Sequence, residues 1–286
     1  MEITPKMVMA LRAATGLPMM KCKQALEAVG GDHEKALDHL RKEGLKAAES
    51  KAGRNTGEGL VRAQVAPGGK AVTLVLVRCE TEPVRNTADF QGFVQKLLAV
   101  ADASKPADVA ALAAARWHGP EGATVTEALN ALIAKVGENI QVGGVAAWTA
   151  GPGEYLGHYV HHDNRTAAAV RVAVGAVTPA LEAVAKELCQ HVVFSKPAAI
   201  GRGDIPAPLG EKEREIIRAQ VAQDPKMAGK PAQIIDNVVK GKLESFFKEK
   251  VLPDQGWYKD DKQSVATVLK AQGATVKAYA LLQVGA

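Results

Sequence analysis

The spacing of apolar residues changes period near Gly59, and that change excludes a fold built only of helices or only of strands. Upstream, Met7, Val8, Leu11 and Ala14 recur at helical intervals. So do Met19, Met20, Cys22, Leu26 and Val29, and then Ala36, Leu37 and Leu40. The residues between these groups are helix punctuation. Thr4 is suited to cap a first helix that Pro5 opens, and Gly16 ends it. Pro18 starts a second helix that Gly30-Gly31 stops. Asp32 is suited to cap a third, which Gly44 closes. Residues 45–59 (LKAAESKAGRNTGEG) are polar, hold three glycines and read as a partly helical linker.

Downstream the pattern is mixed. The Val-rich arms GLVRAQVA and AVTLVLVR flank Pro67-Gly68-Gly69, which predicts a β-hairpin. Asn86 is suited to cap a helix carrying Phe90, Phe93, Val94, Leu97 and Val100, and a further helix runs from Thr124 to Gly137. Strand-like runs follow at 139–149, 155–162 and 167–175, and Pro179 opens a helix ending near Val193. Two amphipathic segments, 211–223 and 230–250, are joined by a short turn and predict an antiparallel helical pair. A short helix around Val265–Leu269 and a last strand, VKAYALLQV, complete the chain. Helices interleaved with antiparallel strands give an α+β class.

Composition narrows the function. A chain of 286 residues suggests more than one compact unit. The net charge of +5 is thin for a nucleic-acid binder, and 4% aromatics leave few faces for base stacking. No direct nucleic-acid contact is expected. Cys22, Cys79 and Cys189 are odd in number and far apart, which fits a reducing compartment. No run approaches the roughly 20 apolar residues of a membrane span, and a cytoplasmic protein is expected. Catalytic signatures fail on inspection. Residues 151–157 (GPGEYLG) have one residue too many for a dinucleotide loop, and a proline where an N–H is needed. His161, His162 and Asp163 suggest a metal, but adjacent strand residues point to opposite faces. No metal, cofactor or enzymatic activity is expected.

Met19 and Met20 carry more information. Adjacent helical side chains diverge by about 100°, so one can enter the small core while the other stays near the surface. Beside Lys21 and Lys23, an exposed methionine has the profile of a protein-docking patch; core filling is the alternative.

Residues 11–26 (LRAATGLPMMKCKQAL) and 31–44 (GDHEKALDHLRKEG) resemble the N-terminal domain of the bacterial elongation factor Ts family. The resemblance continues through Val136-Gly137-Glu138-Asn139-Ile140, the Tyr159–Arg165 stretch and Ser195-Lys196-Pro197. Glu213-Arg214-Glu215-Ile216, Gly229-Lys230-Pro231 and Gly241-Lys242-Leu243 then follow in the family's order. It implies a ubiquitin-associated-like helical domain over 1–54 and an α+β core of two related halves, 55–140 and 141–286. The second half would hold a helical hairpin near 187–225. It also implies a guanine-nucleotide exchange factor for elongation factor Tu, met both GDP-bound and nucleotide-free, with a homodimer left open.

By the same resemblance, Arg12, Met19, Met20 and Lys23 would dock on the GTPase. The family's Thr-Asp-Phe-Val wedge would insert an aromatic ring, supported by the histidine matching His161. Here the wedge reads Thr81-Glu82-Pro83-Val84, and the Arg-Arg that usually follows the Glu-Asn-Ile run is Gly143-Gly144. An aromatic buries ~150–250 Å², far more than a proline. Two readings therefore stand: a working exchange factor with a blunted wedge, or a non-exchanging, chaperone-like binder of elongation factor Tu.

Overall fold

A computed structural model describes residues 2–205, 207–227 and 230–285. Its first helices form where their caps lie. In α1 (Pro5–Thr15) the Thr4 side chain accepts from the Met7 N–H, and Gly16, left-handed at φ 66°, closes the last turn. After α2 (Met19–Ala28), α3 (His33–Lys51) starts at Asp32, whose carboxylate accepts from the Lys35 N–H. The third helix does not stop at Gly44. That glycine is buried inside α3 because the helix Val125–Val136 of the core crosses there. A Cβ at position 44 would lie 3.4 Å from the Asn130 carbonyl oxygen and 3.7 Å from the Ala134 Cβ. Gly44 is therefore a point of close approach. Ala134 packs against the small core of Val8, Leu11, Cys22, Leu26, Ala36 and Leu40. The expected linker over 45–59 shrinks to the segment between Lys51 and Glu58.

The core begins with β1 (Glu58–Val65) and β2 (Ala71–Cys79), paired antiparallel across the Pro67–Gly69 turn. One helical turn, α4 (Glu82–Arg85), leads to α5 (Ala88–Ser104). Thr87, not Asn86, caps α5, because its hydroxyl reaches the Phe90 N–H. There follow α6 (Val109–Ala114), a ribbon of β3 (Arg116–Gly119) and β4 (Gly122–Thr124), α7 (Val125–Val136) and β5 (Ile140–Thr149). The expected Thr124 and Gly137 ends of α7 are its N-cap and left-handed C-cap. The sheet runs β1-β2-β5, with α5 and α7 packing Phe90, Leu97 and Ile133 against Leu60, Val75 and Val77.

The second unit repeats this plan. A hairpin of β6 (Glu154–Val160) and β7 (Thr166–Val174) is followed by α8 (Pro179–Ser195). Next come α9 (Ala207–Gln223), α10 (Ala232–Lys250), a ribbon of β8 (Gly256–Trp257) and β9 (Asp260–Ser264), α11 (Val265–Ala271) and β10 (Ala274–Gln283). β10 pairs with β7 as β5 pairs with β2. Both α5 and α8 end in Ser-Lys-Pro, and Lys105 and Lys196 adopt positive φ of 45° and 43° at the C-cap. Each ribbon tryptophan stacks on its helix, Trp117 on Phe93 and Trp257 on His191. Because β5 lies in the first sheet, the division expected at 140/141 cuts a strand from its partners. The first sheet ends with β5 at Thr149, and the second begins with β6 at Glu154.

The helical pair is α9 with α10, joined by Ile217, Val221 and Val239. The range 187–225 takes in the end of α8 and only the first arm. Gly229 of the expected Gly-Lys-Pro motif lies outside the described residues. No described helix is long and apolar enough to cross a membrane.

The base of the hairpin is tied to α8 by a buried histidine. The Tyr258 N–H donates to His191 Nδ1 at 3.2 Å, so Nε2 carries the proton and donates to Gln255 Oε1 at 2.9 Å. Gln255 in turn donates to the carbonyls of Ser195 and Glu249, at the ends of α8 and α10. Burial lowers the His191 pKa below its ordinary 6.5. The unfolded chain then binds a proton that the folded one refuses, so this contribution to stability is complete above the unfolded pKa and declines as pH falls below it. Between about pH 7 and pH 5 the thermal midpoint should fall, and more steeply than in His191→Gln; parallel melting curves would contradict the assignment.

Candidate functional site

The wedge residues leave the sheet where β2 ends. Thr81, Glu82 and Pro83 are exposed, and Val84 is half-buried against the first core cluster. Pro83 sits in the first turn of α4, where its missing N–H costs no helical bond. The tip is braced from beneath. Both the N–H and the hydroxyl of Thr81 donate to the Glu138 carboxylate, at 3.1 and 2.6 Å. The neighbouring Asn139 N–H donates to Glu80 at 2.6 Å. The buried Asn139 amide donates to the Ala52 and Arg54 carbonyls at 3.3 and 2.8 Å. The Glu138-Asn139 pair thus fastens the wedge and the chain leaving α3 to one corner of the first sheet.

A second set of contacts runs the other way. Arg85 pairs with Glu82 at 2.6 Å and with Glu58 at 3.2 Å, and Glu58 also receives Arg165. Cys79 lies at this junction, opposite Glu58 in the strand register. Burial, then the nearby Glu138 and Glu58 charges, push its thiol up to about 11, so it stays protonated and unreactive.

His161 does not continue the strand. β6 ends at Val160 and the chain turns through Asn164, which has a positive φ of 54°. The His161 and His162 rings therefore lie side by side, centroids 4.3 Å apart, and do not point to opposite faces as strand geometry predicts. The Tyr159 hydroxyl is 2.9 Å from His161 Nδ1. Among the described residues no three His, Cys, Asp or Glu side chains are grouped to hold a metal. The turn is stitched to the first sheet by the Val61 N–H, which donates to the Asn164 carbonyl at 2.7 Å.

On the N-terminal domain both methionines face outward: Met19 is 48% and Met20 62% exposed, and Met9 adds another at 63%. Neither fills the core, whose place Leu17, Cys22 and Leu26 take. Lys23 pairs with Glu27 at 3.6 Å. Arg12 and Pro18 line a cleft of about 390 Å³ together with Val84, Asp89 and Lys135. Docking of α3 on α7 thus brings Arg12 beside the wedge. Met19, Met20 and Lys23 lie outside that cleft, and the turn that holds His161 is linked to the wedge turn through Arg165, Glu58 and Arg85.

Sequence reasoning missed Glu58 and Glu138, whose partners are distant in the chain, and Arg85, which pairs with Glu58 as well as with its neighbour Glu82. The one usable signal was Glu138-Asn139, a motif without an assigned task. Gly143 also acquires a reason: a Cβ there would lie 2.9 Å from Arg78 Nε. The exposed side chains comprise a short acidic tip carrying a proline ring and, apart from it, the exposed methionines of the N-terminal helices.

The family model for elongation factor Ts matches residues 80–286. Elongation factor Ts of Thioalkalivibrio sulfidiphilus is 38% identical over 285 residues, covering 100% of this chain and 93% of that protein. That of Cellvibrio japonicus is 40% identical over 284 residues, covering 99% and 91%. The Clostridium perfringens protein of the same name is 36% identical over 274 residues, covering 96% and 88%.

Removing the charged acceptor should loosen the tip. In Glu138→Gln, exchange of the Thr81 amide hydrogen should accelerate about ten-fold, since bonds to charged groups contribute ~1.5–3 kcal/mol. Unchanged protection would mean that Glu138 does not brace the wedge.

Proposed function

The chain belongs to the elongation factor Ts family, and on that premise we propose that it binds elongation factor Tu and promotes the release of GDP from it. The observation that carries this reading is the exposed, braced tip Thr81–Val84, which shares a cleft with Arg12. Such a factor makes and breaks no covalent bond. It binds the nucleotide-free GTPase more tightly than the loaded one, and by linkage it must then weaken GDP by the same factor.

In this reading Pro83 replaces ring insertion with stiffness. Its fixed φ, the Thr81–Glu138 bonds and the Arg85 pairs order the turn before any encounter, so little conformational freedom remains to be lost on binding. Thr81, Glu82 and Val84 complete the contact, and His161 supports it from the adjoining turn. Met19 and Met20 act as apolar anchors on the nucleotide-binding domain of the GTPase, with Arg12 and Lys23 supplying positive charge at their edge. The anchors give affinity, and the tip converts it into distortion of the nucleotide site.

Stopped-flow release of a fluorescent GDP analogue from elongation factor Tu tests the proposal. Saturating factor should accelerate release well above the spontaneous rate, and no acceleration would refute it. In titration calorimetry Met20→Ala should weaken binding to the nucleotide-free GTPase about ten-fold, within the ~1–3 kcal/mol expected of an interface anchor. Unchanged affinity would remove Met20 from the interface.

A further inference from the structure

The wedge and the His161 turn emerge from different sheets, yet one carboxylate touches both. Glu58 opens β1 in the first sheet. Its Oε2 accepts from Arg85 Nη1 at 3.2 Å, and the same oxygen accepts from Arg165 Nη1. Arg85 belongs to the wedge turn, and Arg165 closes the turn that holds His161. The three side chains are 27%, 15% and 30% exposed, so solvent screens them only partly.

We propose that Glu58 is a positioning residue: it yokes the wedge turn to the His161–Arg165 turn, so that two separate contacts on the GTPase move as one body. This rests on the exchange reading above. Without the carboxylate, two guanidinium groups would face each other with no anion between them, and they would repel. Each arginine has a second, local tether. Arg85 keeps Glu82 at 2.6 Å, and Arg165 keeps the Gly57 carbonyl at 3.2 Å. Each turn would therefore survive the loss of Glu58, but the direct polar link between them would not, leaving only the sheet packing beneath to relate them. The Val61 to Asn164 bond holds the His161 turn to β1 and does not reach α4. Exchange needs both contacts in register on one partner, and geometry lost by an ångström is costly to a rate while affecting affinity less.

The test compares the intact chain with Glu58→Gln, and with Asp102→Asn as a control for stability alone. Asp102 accepts from Thr73 and Lys105 toward the other end of the β1–β2 hairpin. Two readouts are taken: nucleotide release by elongation factor Tu, and the spin-label distance between Asn86→Cys and His162→Cys in the free protein. The native cysteines are buried, so the labels report the introduced sites. Glu58→Gln should lower the maximal release rate about ten-fold, shift the half-saturating concentration less than about three-fold, and broaden the label distance. Asp102→Asn should lower the melting temperature and do neither.

A wild-type maximal rate, or an unbroadened distance, in Glu58→Gln would overturn the proposal. So would a loss matched by Asp102→Asn. Should Glu58→Gln fail to fold, Arg165→Gln cuts the yoke from the other side and carries the same expectations. If the unaltered chain itself fails to accelerate release, the exchange reading falls. The label distance alone then decides whether Glu58 couples the two turns: a broadened distance upholds the coupling and an unbroadened one overturns it.

Discussion

The apolar seam between the two three-stranded sheets is the contact on which the rest of the molecule depends. Val61, Val72, Leu74, Leu76 and Ala146 of the first sheet meet Leu156, Ala167 and Ala169 of the second, with Val284 beyond β10 closing the layer. Helices cover the opposite faces, so the central strands are buried on both sides and read as near-continuous Val and Ala runs. Each large aliphatic buried there contributes up to about 1.5–3 kcal/mol, and the alanines let the sheets approach closely. This packing brings the end of β2 and the end of β6 to one corner. The site exists because the seam fixes that corner.

At this corner polar contacts take over from apolar ones. Glu138, Asn139, Glu80, Glu58, Arg85 and Arg165 form two short chains of charge-assisted bonds around an exposed tip. A turn lacking an aromatic ring has less surface to offer a partner. In the proposed reading it compensates by being held, since an ordered turn loses less entropy when it docks than a loose one. The departure from the family's wedge and the density of bonds beneath it are two sides of one physical account.

Features governed by nearby residues were legible in the sequence. Thr4, Thr124 and Gly137 punctuate helices as their chemistry predicts, and the Pro-Gly-Gly turn makes its hairpin. Errors arose where a distant neighbour decides. Gly44 looks like a helix stop, but the crossing of α7 is what requires a residue without a side chain. Asn86 and Thr87 are both competent caps, and only the path out of α4 selects between them. β5 appears to begin a second half until its pairing with β2 is known. Strand geometry predicts opposite faces for the histidine pair, but the strand ends at Val160, one residue before it. Within the candidate site, the resemblance supplies the exposed residues as expectations, whereas the pairing of Glu58 with Arg85 and Arg165 is visible only in the fold. The doubled Ser-Lys-Pro ending of α5 and α8 is a sign of the internal repeat that stands in the sequence itself.

The crossing at Gly44 has a mechanical consequence. A domain hung on a loose tether samples a volume, and its second grip on a partner depends on how often it swings into reach. Here the leading helices are clasped against the body, with the Lys21 ammonium donating to the Ala134 carbonyl at 3.1 Å. The span between methionine patch and wedge is then a fixed gauge, set when the chain folds. On the proposed reading, a partner whose own two footholds stand at a different separation would be rejected by fit alone.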